Sequence, residues 1–145
     1  MIWVALTEAL VLTDLPTELG ALYTTWLAAN PTKATRLAQI TANTVAEFRD
    51  AITTNPANTL DDDTTKIPQS CIRSAETIIY FSLMMEMGLS LKSEAIQSMT
   101  RADMFLRQIQ YKNFSTQTGT TTATKPAPIY TTPEDRDPLG ERMLP

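Results

Sequence analysis

The chain has 145 residues, which is enough for one domain and too few for two of ordinary size. Hydrophobic residues make up 43% and charged residues only 19%, and 24 threonines supply much of the remaining polarity. The net charge of −4 argues against a protein whose whole surface grips nucleic acid, though it is compatible with a local basic face. Because the chain has no histidine, catalytic triads, metal sites and general bases that depend on histidine are excluded.

Two helices are predicted before residue 30. Thr7 is placed to cap a short helix that runs to about Leu12. Pro16 suits the opening turn of a second helix, because proline lacks the N–H group that would be unpaired there. Residues at steps of three and four give this second helix one apolar face: Leu19, Leu22, Tyr23, Trp26 and Leu27. Asn30-Pro31 ends it.

A longer helix is predicted from Thr32 to about Ile52. Its apolar residues lie close to one stripe: Leu37, Ile40, Val45, Phe48 and Ile52. Its charged residues lie off that stripe: Arg36, Glu47, Arg49 and Asp50. A polar loop over residues 53–66 follows.

Three consecutive aspartates in this loop, Asp61, Asp62 and Asp63, offer hard oxygen ligands for a divalent cation. They lack the glycine and the distal glutamate of an EF-hand, and consecutive residues cannot all face one ion. The pattern therefore favours a solvated loop over a metal site.

Two further helices complete the predicted body. They are the third and the fourth helical stretch of the chain, since the two helices before residue 30 count together as the first. Pro68 opens the third, and Gly88 is where a left-handed residue would end it. Ser90 or Ser93 caps the fourth, which runs to about Asn113. The centre of the core is predicted where these two helices pack, at Ile72, Ile79, Phe105 and Ile109. Since no segment shows clean period-two alternation, no strand is expected, and the fold class is all-α.

The chain changes character after Phe114. Residues 115–132 contain eight threonines and cannot bury enough apolar area to offset the cost of ordering, about 1–2 kcal/mol per residue for the backbone. The prediction is a compact bundle of about four helices over residues 1–114, with a long extended C-terminal tail over 115–145. The tail carries apolar residues that a purely solubilising segment does not need, and they are its candidate partner-binding residues: Ile129, Tyr130, Leu139, Met143 and Leu144.

No catalytic, cofactor-binding or metal-binding residues are predicted. Cys71 has no histidine to activate it and lies on the inward side of a hydrophobic helix, so core packing is favoured over a nucleophile. A group of methionines is interpreted as core or subunit-interface filler in preference to an adaptable binding groove: Met84, Met85, Met87, Met99 and Met104. Basic residues on the fourth helix, Arg101 among them, are interpreted as part of a solvated face in preference to a phosphate contact. We therefore expect no enzyme and no cofactor.

Simple features of the sequence predict the compartment in which the protein is made. A single cysteine cannot form an internal disulfide, and the N-terminus has no basic stretch before Glu8, so a signal peptide is not expected. No apolar run approaches the roughly 18–20 residues of a membrane span. Synthesis in the cytosol without a membrane partner is the prediction.

Three stretches carry a family resemblance: RLAQITANTVAEFRDAI at residues 36–52, IPQSCIRSAE at 67–76 and RADMFLRQI at 101–109. Together they resemble the small helical head–tail connector proteins of tailed bacteriophages, also called adaptor or head-completion proteins. The resemblance covers roughly residues 3–113, and its motifs are packing and capping features of helices.

The resemblance implies a homo-oligomeric ring, typically dodecameric, in the neck of the virion. Such a ring binds beneath the portal protein, meets tail or neck proteins below, and lets double-stranded DNA pass through its lumen without sequence-specific binding. Residues 1–114 would then form the connector domain, and the tail would dock on the portal or on a neighbouring copy. A neutral or acidic lumen suits this role, because strong phosphate neutralisation would hold DNA in place.

Two other functions remain open at this point. A tail-side completion protein, similar to a tail terminator, has a related structural role. A small helical DNA-packaging or DNA-binding subunit would need a basic helix aimed at DNA, and only the fourth helix offers one, weakly.

Overall fold

In the computed structural model, which describes residues 1–111 and 114–116, helices dominate the chain and confirm the all-α class. The described residues contain five α-helices and a 3-10 turn, in the order α1 Glu8–Asp14, α2 Thr17–Ala29, the turn Pro31–Lys33, α3 Arg36–Thr53, α4 Gln69–Glu86 and α5 Ser93–Gln110. They also contain two short strands, β1 Trp3–Ala5 and β2 Lys66–Pro68. All five candidate partner-binding residues of the tail lie outside the described residues: Ile129, Tyr130, Leu139, Met143 and Leu144.

Two predicted helix ends are confirmed by their hydrogen bonds. The Leu10 N–H donates to Thr7 Oγ1 over 3.4 Å at the start of α1. At the end of α4, Gly88 has a φ of 71°, which favours glycine. The Leu89 N–H donates to the Met84 carbonyl (3.0 Å) and the Gly88 N–H to the Met85 carbonyl (3.1 Å), the pair of bonds that defines a Schellman motif.

The start of α3 differs from the prediction. Pro31 begins a separate 3-10 turn, and the α-helix starts at Arg36, four residues after the predicted Thr32. Residues at this junction are tied to the end of α4, because the Glu86 carboxylate pairs with Arg36 Nε at 3.0 Å and with Lys33 Nζ at 3.6 Å. The junction therefore joins the beginning of one core helix to the end of the next.

The expectation that the chain has no strand is wrong at two three-residue segments. β1 and β2 pair antiparallel, with Val4 opposite Ile67. Flanking bonds lengthen the ladder, from the Leu6 N–H to the Thr65 carbonyl (3.0 Å) and from the Gln69 N–H to the Ile2 carbonyl (2.9 Å). Three residues are too few to show a period-two pattern, and Ile67 is fully buried, so the pairing depends on the rest of the fold. Pro68 accordingly ends β2 and precedes α4 instead of opening it.

The core lies between α3, α4 and α5, with α1 packed on α3. The predicted stripe of α3 is confirmed, since each of its five residues is buried: Leu37, Ile40, Val45, Phe48 and Ile52. Of the predicted centre of the core, Ile79 and Ile109 are buried, whereas Ile72 and Phe105 are only partly buried. Within the described ranges, no helix combines the length and the apolar character needed to cross a bilayer.

Candidate functional site

Helix α2 is apolar on its exposed face as well as on its buried face. It buries Leu19 and Tyr23, yet Leu22 is 49% exposed and Glu18 is its only charged residue. A helix that packs on a core along one stripe ordinarily carries charged or polar residues on the opposite face. The outer surface of α2 lacks most of that polarity.

Threonine hydroxyls make this surface still less polar. Thr24 Oγ1 donates to the Gly20 carbonyl over 3.0 Å, and Thr25 Oγ1 donates to the Ala21 carbonyl over 3.1 Å. Because each hydroxyl is already bonded within its own helix, covering it with another protein surface leaves no new donor unpaired. The same bond occurs on α1, where Thr13 donates to the Ala9 carbonyl at 2.9 Å.

Two open apolar clefts lie beside α2. The first, about 400 Å³, separates α2 from the end of α4 and the start of α5. Its lining is mainly apolar, with Leu22, Met84 and Leu89, and it also includes the charged residues Glu18, Lys92 and Glu94. The second, about 480 Å³, lies between α1, α2 and the 3-10 turn, and is lined by Leu12, Tyr23 and Leu27 among others. Leu12 is itself 43% exposed. Together with α2, these clefts form what we call the α2 surface, a candidate site for contact with another protein.

The methionines predicted as filler divide between two environments. Met84, Met87 and Met99 are partly buried, whereas Met85 and Met104 are 59% and 55% exposed. Met84 lines the first cleft of the α2 surface. The group as a whole therefore does not lie in the core.

Residues 114–116, which follow α5 in the chain, are fastened to the loop between α3 and β2. Asn58 Nδ2 donates to the Phe114 carbonyl (3.0 Å), the Thr116 N–H donates to Asn58 Oδ1 (2.9 Å), and Thr116 is buried. The Thr59 N–H donates in turn to Thr116 Oγ1 over 3.1 Å. Phe114 packs edge-on against Phe105, with ring centroids 6.5 Å apart. These bonds fix Thr116, the last residue that the structure describes, against the helical body.

A pair of carboxyl groups joins α1 to α4. Glu76 on α4 lies beside Asp14 at the end of α1, and its Oε2 atom is buried without a donor among the described residues. Burial raises the pKa of Glu76 to about 7, and the hydrogen bond and negative charge of Asp14 act in the same direction. A proton on Glu76 would supply the missing donor, and the raised pKa of Glu76 keeps this carboxyl group mostly protonated below about pH 7.

Tyr80 lies one turn further along α4 and responds to the same surroundings. Burial raises the pKa of Tyr80 to about 12, with further contributions from the charges of Glu76 and Asp14. Shifted carboxyl groups in a cleft are a pattern found at catalytic sites as well as at structural contacts. Here the cleft beside the pair is open and about 520 Å³, and it is lined partly by Val4, Leu10 and Ile72.

We expect the stability of the protein to fall as the pH rises from about 5 to about 8. In the unfolded chain Glu76 titrates near 4.5, whereas in the folded chain its pKa is about 7, so the folded state binds the extra proton between these values. The stabilisation is complete below about pH 4.5 and is lost as the pH passes through about 7. Chemical denaturation at a series of pH values measures this slope.

The variant Glu76→Gln should flatten the slope, because the amide cannot ionise. Glu47→Gln is the matched control, since Glu47 is exposed on α3 and its substitution should leave the slope as it is in the native sequence. Equal slopes in the native protein and in Glu76→Gln would show that this pair does not govern the pH dependence.

Arg49, predicted as an ordinary charged residue outside the apolar stripe, organises the aspartate loop. Its guanidinium donates to three carbonyls of the loop and of β2: Asp61 (2.7 Å), Asp63 (3.0 Å) and Lys66 (2.7 Å). The Trp3 ring centroid lies 6.0 Å from its central carbon. A single side chain of α3 thus holds the loop, β2 and β1 together.

The loop carboxylates accept hydrogen bonds from the loop itself. Asp61 Oδ1 accepts from the Asp63 N–H, and Asp63 Oδ1 accepts from the N–H and the hydroxyl of Thr65. The bonds from Thr65 lower the pKa of Asp63. Among the described residues, no three acidic or cysteine side chains are grouped so that they would hold a metal ion.

Cys71 is fully buried, and its burial raises the pKa of the thiol to about 11. A thiol of this kind stays protonated at neutral pH and packs as a small apolar group. The position thus agrees with the core packing that the sequence favours.

Sequence reasoning missed Arg49 and the Asp14–Glu76 pair. The partners of Arg49 lie more than ten residues away, and Asp14 and Glu76 lie on different helices, so no spacing rule joins them. One signal was available, because Glu76 follows Ile72 by four residues and precedes Ile79 by three, which places it on a partly buried face of α4.

Comparison of the chain with protein-family models, with curated proteins and with solved structures finds no match.

Proposed function

We propose that this protein is a structural subunit of the head–tail connector of a tailed bacteriophage. In this role it forms a ring beneath the portal and continues the DNA channel towards the tail. The family is proposed from the three stretches at residues 36–52, 67–76 and 101–109, which resemble connector proteins. The all-α body is compatible with that family but does not by itself select it.

The α2 surface is the observation that carries the proposal. A subunit of a closed ring must cover part of its surface with two neighbours, and the centres of protein interfaces are depleted of charged residues. The α2 surface combines exposed Leu22 and Leu12 with threonine hydroxyls that are bonded within their own helices. Covering these leucines and threonines therefore removes apolar area from water at little cost in lost hydrogen bonds to water.

The fastened start of the C-terminal segment also supports this proposal. Asn58 and Thr59 hold Thr116 against the body, so residues 117–145 begin from a fixed point. We propose that this segment contacts the portal or an adjacent subunit through its apolar residues, Ile129, Tyr130, Leu139, Met143 and Leu144.

Mass photometry of the purified protein, alone and mixed with the portal ring of the same phage, tests the proposed function. The expected result is a closed assembly whose mass is a multiple of the 16.1 kDa chain and which co-migrates with the portal. Leu22→Glu should prevent or weaken this assembly, because a carboxylate would be buried without a partner. The matched control is Gln108→Glu, which adds the same charge at an exposed position of α5 outside the α2 surface.

A truncation after Thr116 separates the two contacts. It keeps the hydrogen bonds that fasten Thr116, so the body should fold, while attachment to the portal should be lost. For the full-length chain, by contrast, a ring that forms but never binds the portal would favour the tail-side completion protein. A chain that remains monomeric with the portal and binds DNA would favour the packaging subunit, and either outcome would overturn the connector.

A further inference from the structure

A polar cleft of about 320 Å³ lies between α4 and α5, away from the α2 surface. The residues that line it are Arg73, Ser74, Thr77, Ser98, Arg101 and Ala102. Two arginines and three hydroxyl groups thus face one space, and this volume lies at the lower end of the roughly 300–1,000 Å³ of small-molecule sites. Arg73 on α4 and Arg101 on α5 are far apart in the sequence. Only the packing of the two helices brings them together.

The two arginines have no acidic partner in the part of the chain that the structure describes. Arg101 donates only to Ser98 Oγ, at 3.4 Å, and neither guanidinium forms an ion pair there. Two positive charges that share a cleft repel each other, and bound anions relieve this repulsion. Neither guanidinium is therefore neutralised by an ion pair with a described residue.

The carboxylates of α4 and α5 lie elsewhere. Glu86 pairs with Lys33 and Arg36, and Asp103 pairs with Arg107 at 2.9 Å. Glu94 lines the first cleft of the α2 surface. Glu76 lies beside Asp14 in the neighbouring cleft, which Arg73 also borders. All four acidic side chains of these two helices are thus absent from the lining of the arginine cleft.

The hydroxyl groups complete the arrangement. Thr77 Oγ1 donates to the Arg73 carbonyl over 3.0 Å, and this bond orients the Thr77 side chain within α4. Ser98 accepts from Arg101, which leaves the Ser98 proton free to donate to a ligand. Ser74 makes no side-chain hydrogen bond to any described residue, so its hydroxyl is available as well.

We propose that the cleft between α4 and α5 is a binding site for a phosphate group. Guanidinium groups bind phosphate oxygens through paired, charge-assisted hydrogen bonds, and serine hydroxyls supply neutral donors beside them. The site goes beyond the proposed connector function and does not depend on it, since the chemistry is that of the phosphate group itself. That group comes either from free inorganic phosphate or from the backbone of DNA.

NMR titration of the full-length, ¹⁵N-labelled protein with inorganic phosphate tests the site, with chloride at matched ionic strength as the reference. The expected result is a saturable shift of the amide signals of Ser74, Thr77 and Ser98. Arg73→Gln and Arg101→Gln should each weaken binding roughly tenfold, and the double variant should abolish it. Arg107→Gln is the matched control, because Arg107 is on the same helix, pairs with Asp103 and lies outside the cleft.

A second titration, with a short DNA duplex, distinguishes the two sources of phosphate. If the same signals shift with DNA and not with inorganic phosphate, the ligand is a phosphodiester, and each arginine variant should lower the salt dependence of binding by about one phosphate contact. Saturation by inorganic phosphate identifies a free-anion site. The absence of cleft shifts with both ligands, or an equal loss of binding in Arg107→Gln, would overturn the proposal.

Discussion

Replacing Ile79 with alanine is expected to lower the free energy of unfolding by about 2–5 kcal/mol. Ile79 has no exposed area and lies on α4 in the core shared with α3 and α5. The substitution removes buried methyl groups and leaves a cavity that the surrounding helices close only in part. Equilibrium denaturation in urea, with far-UV circular dichroism as the signal, measures the loss.

Ile72→Ala is the matched control for this experiment. It is the same substitution on the same helix, two turns earlier, but Ile72 is only partly buried and borders an open cleft. Its cost should be clearly smaller than that of Ile79→Ala, because less apolar area returns to water and a surface site relaxes more easily. Equal costs at the two positions would contradict the burial that the structure gives to α4.

Replacing Arg49 with alanine is expected to cost about 2–4 kcal/mol, although Arg49 is not fully buried. The change removes charge-assisted hydrogen bonds to the carbonyls of Asp61, Asp63 and Lys66. It also removes the contact with the Trp3 ring. We expect the loop over residues 54–65 and the β1–β2 ladder to lose protection together, as measured by amide hydrogen exchange.

Arg49→Lys sharpens this prediction. Lysine keeps the positive charge but has a single ammonium group, which cannot replace the planar fork that reaches three carbonyls at once. We therefore expect Arg49→Lys to recover only a small part of the loss. Full recovery would mean that the charge alone stabilises the loop, and unchanged exchange in Arg49→Ala would mean that Arg49 does not hold it.

The sequence by itself determined those parts of the fold that depend on neighbours along the chain. Thr7 caps α1 through a residue three positions away, and Gly88 ends α4 because only glycine readily adopts its positive φ. The apolar stripe of α3 needs only the period of a helix, and its five predicted core residues are all buried. Such features can be read from the sequence because their physical causes act within one or two helical turns.

The candidate sites could be predicted only in part from the sequence. Arg101 belongs to a helix whose basic residues were interpreted as a solvated face in preference to a phosphate contact, and nothing in the spacing placed Arg73 beside it. For α2, the prediction of one apolar face located Leu19 and Tyr23 in the core, whereas it could not show that Leu22 stays exposed. Which side of an apolar helix is covered depends on the helices that pack against it.

Tertiary structure alone decided the contacts between residues distant in sequence. β1 and β2 are three residues each and exist because the fold brings Val4 and Ile67 together, with Ile67 in the core. Glu76 acquires its raised pKa only when folding buries it and α1 places Asp14 beside it. Arg49 becomes a structural residue only when the loop carbonyls close around its guanidinium. In each case, the interaction energy comes from groups whose proximity is a result of folding, so no local pattern in the chain encodes it.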